Sequence, residues 1–136
     1  MTLGTKFEPG SDDEHFCKPT AVAVLSNGDF FVSDGYCNSR IIKFNKDGHV
    51  VQKWGRSLSF IESVLPRGPP AYAFAIPHGL ALAEDKDLLC VADRENGRIQ
   101  CFKASDGTIQ FMINSREFGG RLFSVTYSNV DGTNRT

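Results

Sequence analysis

The sequence is short of the features that mark many functional classes. Its 15 Lys+Arg stand against 16 Asp+Glu, a net charge of -1. It therefore lacks the cationic excess that draws a protein to a polyanion, and nucleic acid is not an expected partner. No apolar run nears the roughly 18 residues of a membrane-spanning helix, so no membrane span is expected. Met1-Thr2-Leu3-Gly4-Thr5-Lys6 lacks the basic-then-apolar order of a signal peptide, and the chain reads as soluble with no address of its own. The four cysteines, Cys17, Cys37, Cys90 and Cys101, include no CxxC pair, which removes zinc-ribbon and thioredoxin-type chemistry. No segment shows a convincing helical period. What remains is a chain of 136 residues, at most one domain, with 40% hydrophobic and 23% charged residues. That balance belongs to a packed core.

The chain repeats itself. Phe16-Cys17-Lys18-Pro19 leads into Ala21-Val22-Ala23-Val24, and Phe74-Ala75-Ile76-Pro77 leads into Gly79-Leu80-Ala81-Leu82, 58 positions on. Phe31-Val32-Ser33-Asp34 precedes Asn38-Ser39-Arg40-Ile41, as Cys90-Val91-Ala92-Asp93 precedes Asn96-Gly97-Arg98-Ile99. A third copy opens with Phe118-Gly119-Gly120-Arg121 and Phe123-Ser124-Val125-Thr126, 44 positions after Phe74. Each full copy divides into four runs rich in Val, Ile, Phe and Leu, separated by turn formers such as Asn27-Gly28-Asp29, Lys46-Asp47-Gly48 and Ser105-Asp106-Gly107. Strands are expected near 20–25, 30–34, 40–45 and 49–54, and again near 78–83, 88–93, 98–103 and 107–113.

Four antiparallel strands in a repeat of about 40–50 residues is the arithmetic of a β-propeller blade. The expected organisation is a blade at about 16–55, an inserted loop at 56–72 marked by Pro66, Pro69 and Pro70, a second blade at about 73–114, and the first strand of a further blade at 121–128. Nothing in the pattern caps either outer blade face.

The motif Val-Ser/Ala-Asp followed by Asn-x-Arg-Ile and an aromatic resembles the NHL repeat. His15-Phe16-Cys17-Lys18-Pro19-Thr20, Val32-Ser33-Asp34-Gly35-Tyr36-Cys37-Asn38-Ser39-Arg40-Ile41, Pro77-His78 and Leu89-Cys90-Val91-Ala92-Asp93-Arg94-Glu95-Asn96-Gly97-Arg98-Ile99-Gln100-Cys101-Phe102 together resemble the peptidyl-α-hydroxyglycine α-amidating lyases. These form the second catalytic domain of peptidylglycine α-amidating monooxygenase. The resemblance covers nearly the whole chain outside 56–72. It implies an all-β fold, an NHL-type β-propeller fragment of antiparallel four-stranded blades, about two blades of six. It further implies cleavage of a peptide ending in α-hydroxyglycine to a peptide amide and glyoxylate, inactive in this fragment alone. Zinc is the implied catalytic cofactor and calcium an implied structural ion, whose ligands the resemblance does not assign. The implied partners are the peptide substrate and a monooxygenase domain or enzyme. The implied location is the secretory pathway, in secretory granules or outside the cell.

If Asp93 lies opposite Arg98 in a hairpin, Cys90 lies opposite Cys101, and directly opposed Cβ atoms about 4.5–5.5 Å apart are near disulfide range. Cys17 precedes the first strand of its blade and Cys37 follows the second, so antiparallel order puts both at one end and makes a second bridge feasible. Two disulfides would require an oxidising compartment. Four separate buried thiols are the alternative.

In a propeller blade the first strand is innermost, and its start shares a face with the loop between strands two and three. His78, Tyr36 and Arg94 therefore meet on one concave surface. By resemblance His78 is a zinc ligand. The equivalent residues, Thr20 and Leu122, are not imidazoles, and a catalytic zinc takes three protein ligands, so the other two lie outside this chain. Tyr36 is the implied general base, its phenol in need of neighbouring positive charge. Arg94 would provide that charge and a planar fork for the substrate carboxylate. Without the family, His78 reads as a structural strand-start residue, Tyr36 as a loop aromatic and Arg94 as a solvated turn residue.

Asp34 with Arg40, and Asp93 with Arg98, recur at equivalent places and read as hairpin ties. His15 and His49 read as solvent-facing, and Trp54 as packing between blades. Asn134-Arg135-Thr136 is a glycosylation sequon of little weight. A second class of function stays open, a non-catalytic NHL interaction module, which has no need of paired cysteines.

Overall fold

The computed structural model describes residues 1–114 and 116–128. Its elements are β1 (Pro19–Val24), β2 (Phe30–Asp34), β3 (Arg40–Phe44), β4 (Val50–Trp54), β5 (Arg56–Ser57), the helix α1 (Phe60–Val64), β6 (Ala73–Phe74), β7 (Pro77–Ala83), β8 (Leu88–Asp93), β9 (Arg98–Lys103) and β10 (Ile109–Asn114). Strands β1 to β4 form one antiparallel meander and β7 to β10 a second. All eight lie within two residues of their expected positions. Blade 1 is β1–β4 and blade 2 is β7–β10. The fold is all-β, two antiparallel four-stranded blades of the propeller type.

Burial follows position in the blade. Strands β2 and β9, in the middle of their sheets, are covered on both faces, whereas the edge strand β4 alternates half-buried and exposed. Gly28 and Gly48, at φ of 92° and 86°, close the two hairpins of blade 1 in a region that L side chains enter only with strain.

The main core lies between the blades. Phe31 and Ile41 meet Leu89, Val91, Phe102 and Ala104, and Phe74 fills the gap between them. Each fully buried large side chain contributes roughly 1.5–3 kcal/mol by leaving water. Trp54 stands 6.2 Å from Phe31 and 5.5 Å from Phe102, so it spans the two blades as expected.

A smaller cluster of Val32, Ile42 and Phe44 sits on the far side of blade 1, packed with Leu3, Phe16, Phe30 and Val50. That outer face is therefore not bare, as the repeat pattern had implied. The repeat explains why: Phe16 covers Phe44 at 6.0 Å just as Phe74 covers Phe102 at 5.9 Å. The cover is partial, and Val22 and Val24 remain 61% and 63% exposed.

Three further expectations are revised. The insertion 56–72 is not wholly loop. In it β5 pairs parallel with β6, and α1 is closed by a capping box between Ser59 and Glu62. Five residues are too few to print a helical period on a sequence. Residues 121–128 form no strand, because the first strand of a blade pairs with the second strand of its own sheet and the described residues include no such partner. They run beside β7, close enough that a side chain at Gly79 would crowd Phe123 and Ser124. His15 is partly buried rather than solvent-facing and bonds Asp12 Oδ1 at 2.6 Å, while His49 is exposed. The Asn134-Arg135-Thr136 sequon lies outside the described residues. Among those residues, no helix is long and apolar enough to cross a membrane.

Candidate active site

Both cysteine pairs are bridged. Cys90 and Cys101 are direct cross-strand partners in β8 and β9, with Cα atoms 4.1 Å apart, and Cys17 and Cys37 join the lead-in of β1 to the β2–β3 loop at 5.4 Å. The second bridge fastens the residue next to Tyr36.

The aspartate–arginine pairs do more than tie a hairpin. Asp34 is fully buried, accepts from Arg40 Nε at 3.0 Å and from the Cys17 amide at 2.8 Å, and so joins β2, β3 and the lead-in of β1. Asp93 repeats this with Arg98 Nε and the Ala75 amide, both at 2.8 Å. The arginines then collect carbonyls from the incoming segment: Ser11, Asp12 and His15 for Arg40, and Pro69, Pro70 and Ala73 for Arg98. Backbone that would otherwise strand its polar groups is anchored on each blade by one side chain. The anchored segments end in left-handed residues, Lys18 at φ 57° and Ile76 at φ 61°, each directly before a proline. For the β-branched Ile76 this is an outlier. It turns the chain sharply into Pro77-His78.

His78, Tyr36 and Arg94 come together as the repeat geometry implied. The Tyr36 hydroxyl lies 3.3 Å from His78 Nε2, and His78 Nδ1 lies 2.8 Å from the Phe123 carbonyl oxygen. A carbonyl only accepts, so Nδ1 carries the proton and Nε2 presents its lone pair to the hydroxyl. Thr20, the blade 1 counterpart of His78, donates to the Pro77 carbonyl at 2.7 Å and so braces the strand start across the inner face. Gly35 lets the Tyr36 loop close on that strand, since any Cβ there would collide with the Pro77 carbonyl.

Arg94 lies between two rings, its guanidinium carbon 5.9 Å from the Tyr36 centroid and 4.3 Å from that of Phe123. Its Nε stands 3.2 Å from Glu95 Oε1 but is not aligned to bond, and this buried nitrogen has no hydrogen-bond partner. A guanidinium held against aromatic faces with donors unspent is suited to a carboxylate.

Among the described residues, no group of three or more His, Cys, Asp or Glu is arranged to hold a metal ion. His78 alone fits as one ligand: its tautomer is set by a carbonyl behind it and its other nitrogen points forward, the usual arrangement of a metal-binding imidazole. Sequence reasoning brought these three residues together but missed Phe123 and Thr20. Phe123 had a signal, since it directly follows Leu122, the third-copy equivalent of His78.

The NHL repeat family matches residues 16–44 and 74–102. The chain is 48% identical over 132 residues to peptidyl-alpha-hydroxyglycine alpha-amidating lyase 1 of Drosophila melanogaster, covering 97% of this chain and 24% of that protein. It is 51% identical over 129 residues to peptidyl-glycine alpha-amidating monooxygenase B of Xenopus laevis, covering 94% of this chain and 14% of that protein. With peptidylglycine alpha-amidating monooxygenase of Rattus norvegicus it shares 48% identity, covering 93% of this chain and 12% of the relative. The chain thus spans about a quarter or less of these relatives. Among solved structures, the WD40 repeats of RRP9 superpose with a TM-score of 0.56 at 16% identity, over 74% of this chain and 27% of that one. U3-55K does so with 0.56 at 15%, over 74% and 28%. At such identities the likeness is one of fold.

Proposed function

We propose that this chain, which carries two NHL repeats and corresponds to part of a peptidyl-α-hydroxyglycine α-amidating lyase, supplies one metal ligand, one proton acceptor and one carboxylate clamp to that enzyme's site. The observation that carries this reading is the convergence of His78, Tyr36 and Arg94 from two blades, with the Tyr36 hydroxyl on His78 Nε2 and the Arg94 guanidinium beside them.

The substrate class is a peptide ending in α-hydroxyglycine. Arg94 binds its free carboxylate and brings the α-hydroxyl to Tyr36. Acting as its phenolate, Tyr36 takes the hydroxyl proton, the C–O bond becomes a carbonyl as the C–N bond breaks, and the nitrogen keeps the bonding pair, receives that proton back from Tyr36 and leaves as a primary amide. The other product is glyoxylate. Zinc, when bound, polarises the substrate hydroxyl as a Lewis acid, and His78 Nε2 would hold it with imidazoles from outside this chain. With Nε2 so engaged, Tyr36 would no longer bond it, which would leave its oxygen available to the substrate hydroxyl. Calcium belongs to the same reading as a structural ion. So does a monooxygenase that hydroxylates peptidylglycine and thereby supplies the substrate. Two disulfides suit an oxidising compartment, and the secretory pathway, in granules or outside the cell, is the proposed location.

The test is glyoxylate release from a peptidyl-α-hydroxyglycine by the full-length protein that carries this chain. His78→Ala should lose zinc and activity together, while Tyr36→Phe should keep zinc and lose turnover. Full zinc occupancy and activity in the His78 variant would overturn the assignment. The 136-residue chain by itself should release no glyoxylate.

A further inference from the structure

We infer that Phe123 is a positioning residue that sets how tightly the site grips the substrate carboxylate, acting through Arg94; this rests on the lyase reading above. Phe123 touches both working groups. Its ring lies 4.3 Å from the Arg94 guanidinium carbon and meets the His78 ring edge-on at 5.4 Å and 81°, and its carbonyl accepts from His78 Nδ1 at 2.8 Å. Its segment is tied to the same loop by the neighbouring amide, which donates from Leu122 N to the Arg94 carbonyl at 3.2 Å.

The guanidinium needs such support because, among the described residues, no aligned hydrogen bond orients its Nε and the Glu95 ion pair at 3.2 Å is the one polar contact it makes. Arg94 Nε lacks a hydrogen-bond partner although buried, and Glu95, its nearest carboxylate, is shared with Arg121 at 3.5 Å. A long side chain without hydrogen bonds keeps its rotamer freedom until something stacks on it. The two aromatic faces supply that constraint while leaving the donor edge open. Tyr36, at 5.9 Å, is the farther face and is committed to His78 through its hydroxyl. Phe123 has no polar atom on its side chain and lies closer, so its ring serves as the platform. The contact also crosses the repeat boundary. Phe123 lies in the third copy, so orienting Arg94 depends on a segment beyond the blade that carries it.

The experiment compares the full-length protein with its Phe123→Leu and Phe123→Tyr variants for KM and kcat on a peptidyl-α-hydroxyglycine. Zinc content and melting temperature are read alongside. Affinity is also measured for an unreactive peptide ending in a free carboxylate and for the same peptide amidated. Phe123→Leu should raise KM about tenfold, the scale of a lost cation–π contact in a partly dry site, with kcat within about twofold and zinc content unchanged. Its preference for the carboxylate over the amide should fall by a similar factor, and Phe123→Tyr should restore both. In an Arg94→Ala background Phe123→Leu should add little, since the two act as one unit. An unchanged KM and carboxylate preference in an active, folded Phe123→Leu protein would overturn the inference while leaving the lyase reading intact, and so would equal losses with Arg94 present or absent. A wild-type protein that releases no glyoxylate would overturn the lyase reading and this inference with it.

Discussion

The two blades carry the same scaffold and different chemistry. Each hairpin is closed by a buried aspartate that binds an arginine and the amide of the incoming segment, and each arginine gathers carbonyls from that segment. At the inner strand start, however, blade 1 has Thr20, which spends its hydroxyl on bracing its neighbour, and blade 2 has His78, which turns the lone pair of Nε2 toward the Tyr36 hydroxyl. The loops between strands two and three diverge as well. In blade 2 the amides of Arg94 and Glu95 bond Ile76 and Ala75 carbonyls at 3.2 and 3.0 Å. In blade 1, where the loop is one residue longer, the matching bonds from Tyr36 and Cys37 stretch to 3.5 and 3.4 Å, and the Cys17–Cys37 bridge takes over. A repeat can therefore keep its buried polar anchors and vary only the residues they aim. The difference between scaffold and site is one of burial: Asp34 and Asp93 are fully enclosed, while Tyr36 is 47% exposed.

The sharpest way to break this comparison is to remove an anchor. Asp93→Ala leaves Arg98 and the Ala75 amide without their buried acceptor, and chemical denaturation should register a loss of roughly 3–5 kcal/mol. Asp34→Ala should lose a similar amount; a loss near zero at either site would mean the two anchors are not equivalent.

Next in size are the disulfides, each worth about 2–4 kcal/mol by restricting the unfolded chain. Replacing Cys90 and Cys101 by serine should lower the unfolding midpoint and leave turnover of the full-length protein nearly intact. Replacing Cys17 and Cys37 should lower the midpoint comparably and also reduce turnover, because the backbone bonds that Tyr36 and Cys37 themselves make are long. Equal turnover in both double variants would remove the distinction between bridge positions.

A smaller effect should separate the two left-handed residues. Ile76→Gly relieves a positive φ worth about 1–2 kcal/mol but restores about 0.5–1 kcal/mol of chain entropy to be lost on folding. Stability should therefore change by less than about 1 kcal/mol while activity falls, because the turn no longer aims His78. Lys18→Gly at the same position of blade 1 should leave both nearly unchanged. Activity at the wild-type level in Ile76→Gly would show that the turn is structural alone.

The smallest expected effect is a pH dependence in the segment that leads into blade 1. The Asp12 carboxylate bonded to His15 holds the imidazole above its ordinary value of 6.5, so folding favours the protonated ring. That contribution is fully present below about pH 6.5 and is lost as pH rises through the raised value. NMR titration of His15 should show the upward displacement, and Asp12→Asn should abolish it. His15 is only partly buried and Asp12 is exposed, so solvent screens the pair and the change in global stability should be slight.

The strands, the blade register and both cysteine pairs were legible in the residues. Period-2 runs between turn formers mark strands without reference to anything distant, and one register, Asp93 opposite Arg98, puts Cys90 against Cys101. The repeat even explains the cover on blade 1, although only the folded chain revealed it: Phe16 stands where Phe74 stands. Other features carried no local signal. The helix α1 is shorter than the period that would announce it, and the carbonyls bound by Arg40 and Arg98 belong to backbone, which any sequence can offer.

By itself, the sequence determined that this chain would fold into two like blades with one histidine, one tyrosine and one arginine at corresponding ends, because strand pattern and repeat offset are properties of neighbouring residues. Only the tertiary structure decided which nitrogen of His78 carries the proton, that Arg94 lies between two rings, and that one of those rings comes from the third copy. Each of those outcomes depends on a contact between segments far apart in the chain, where distance and direction, not residue type, select the partner.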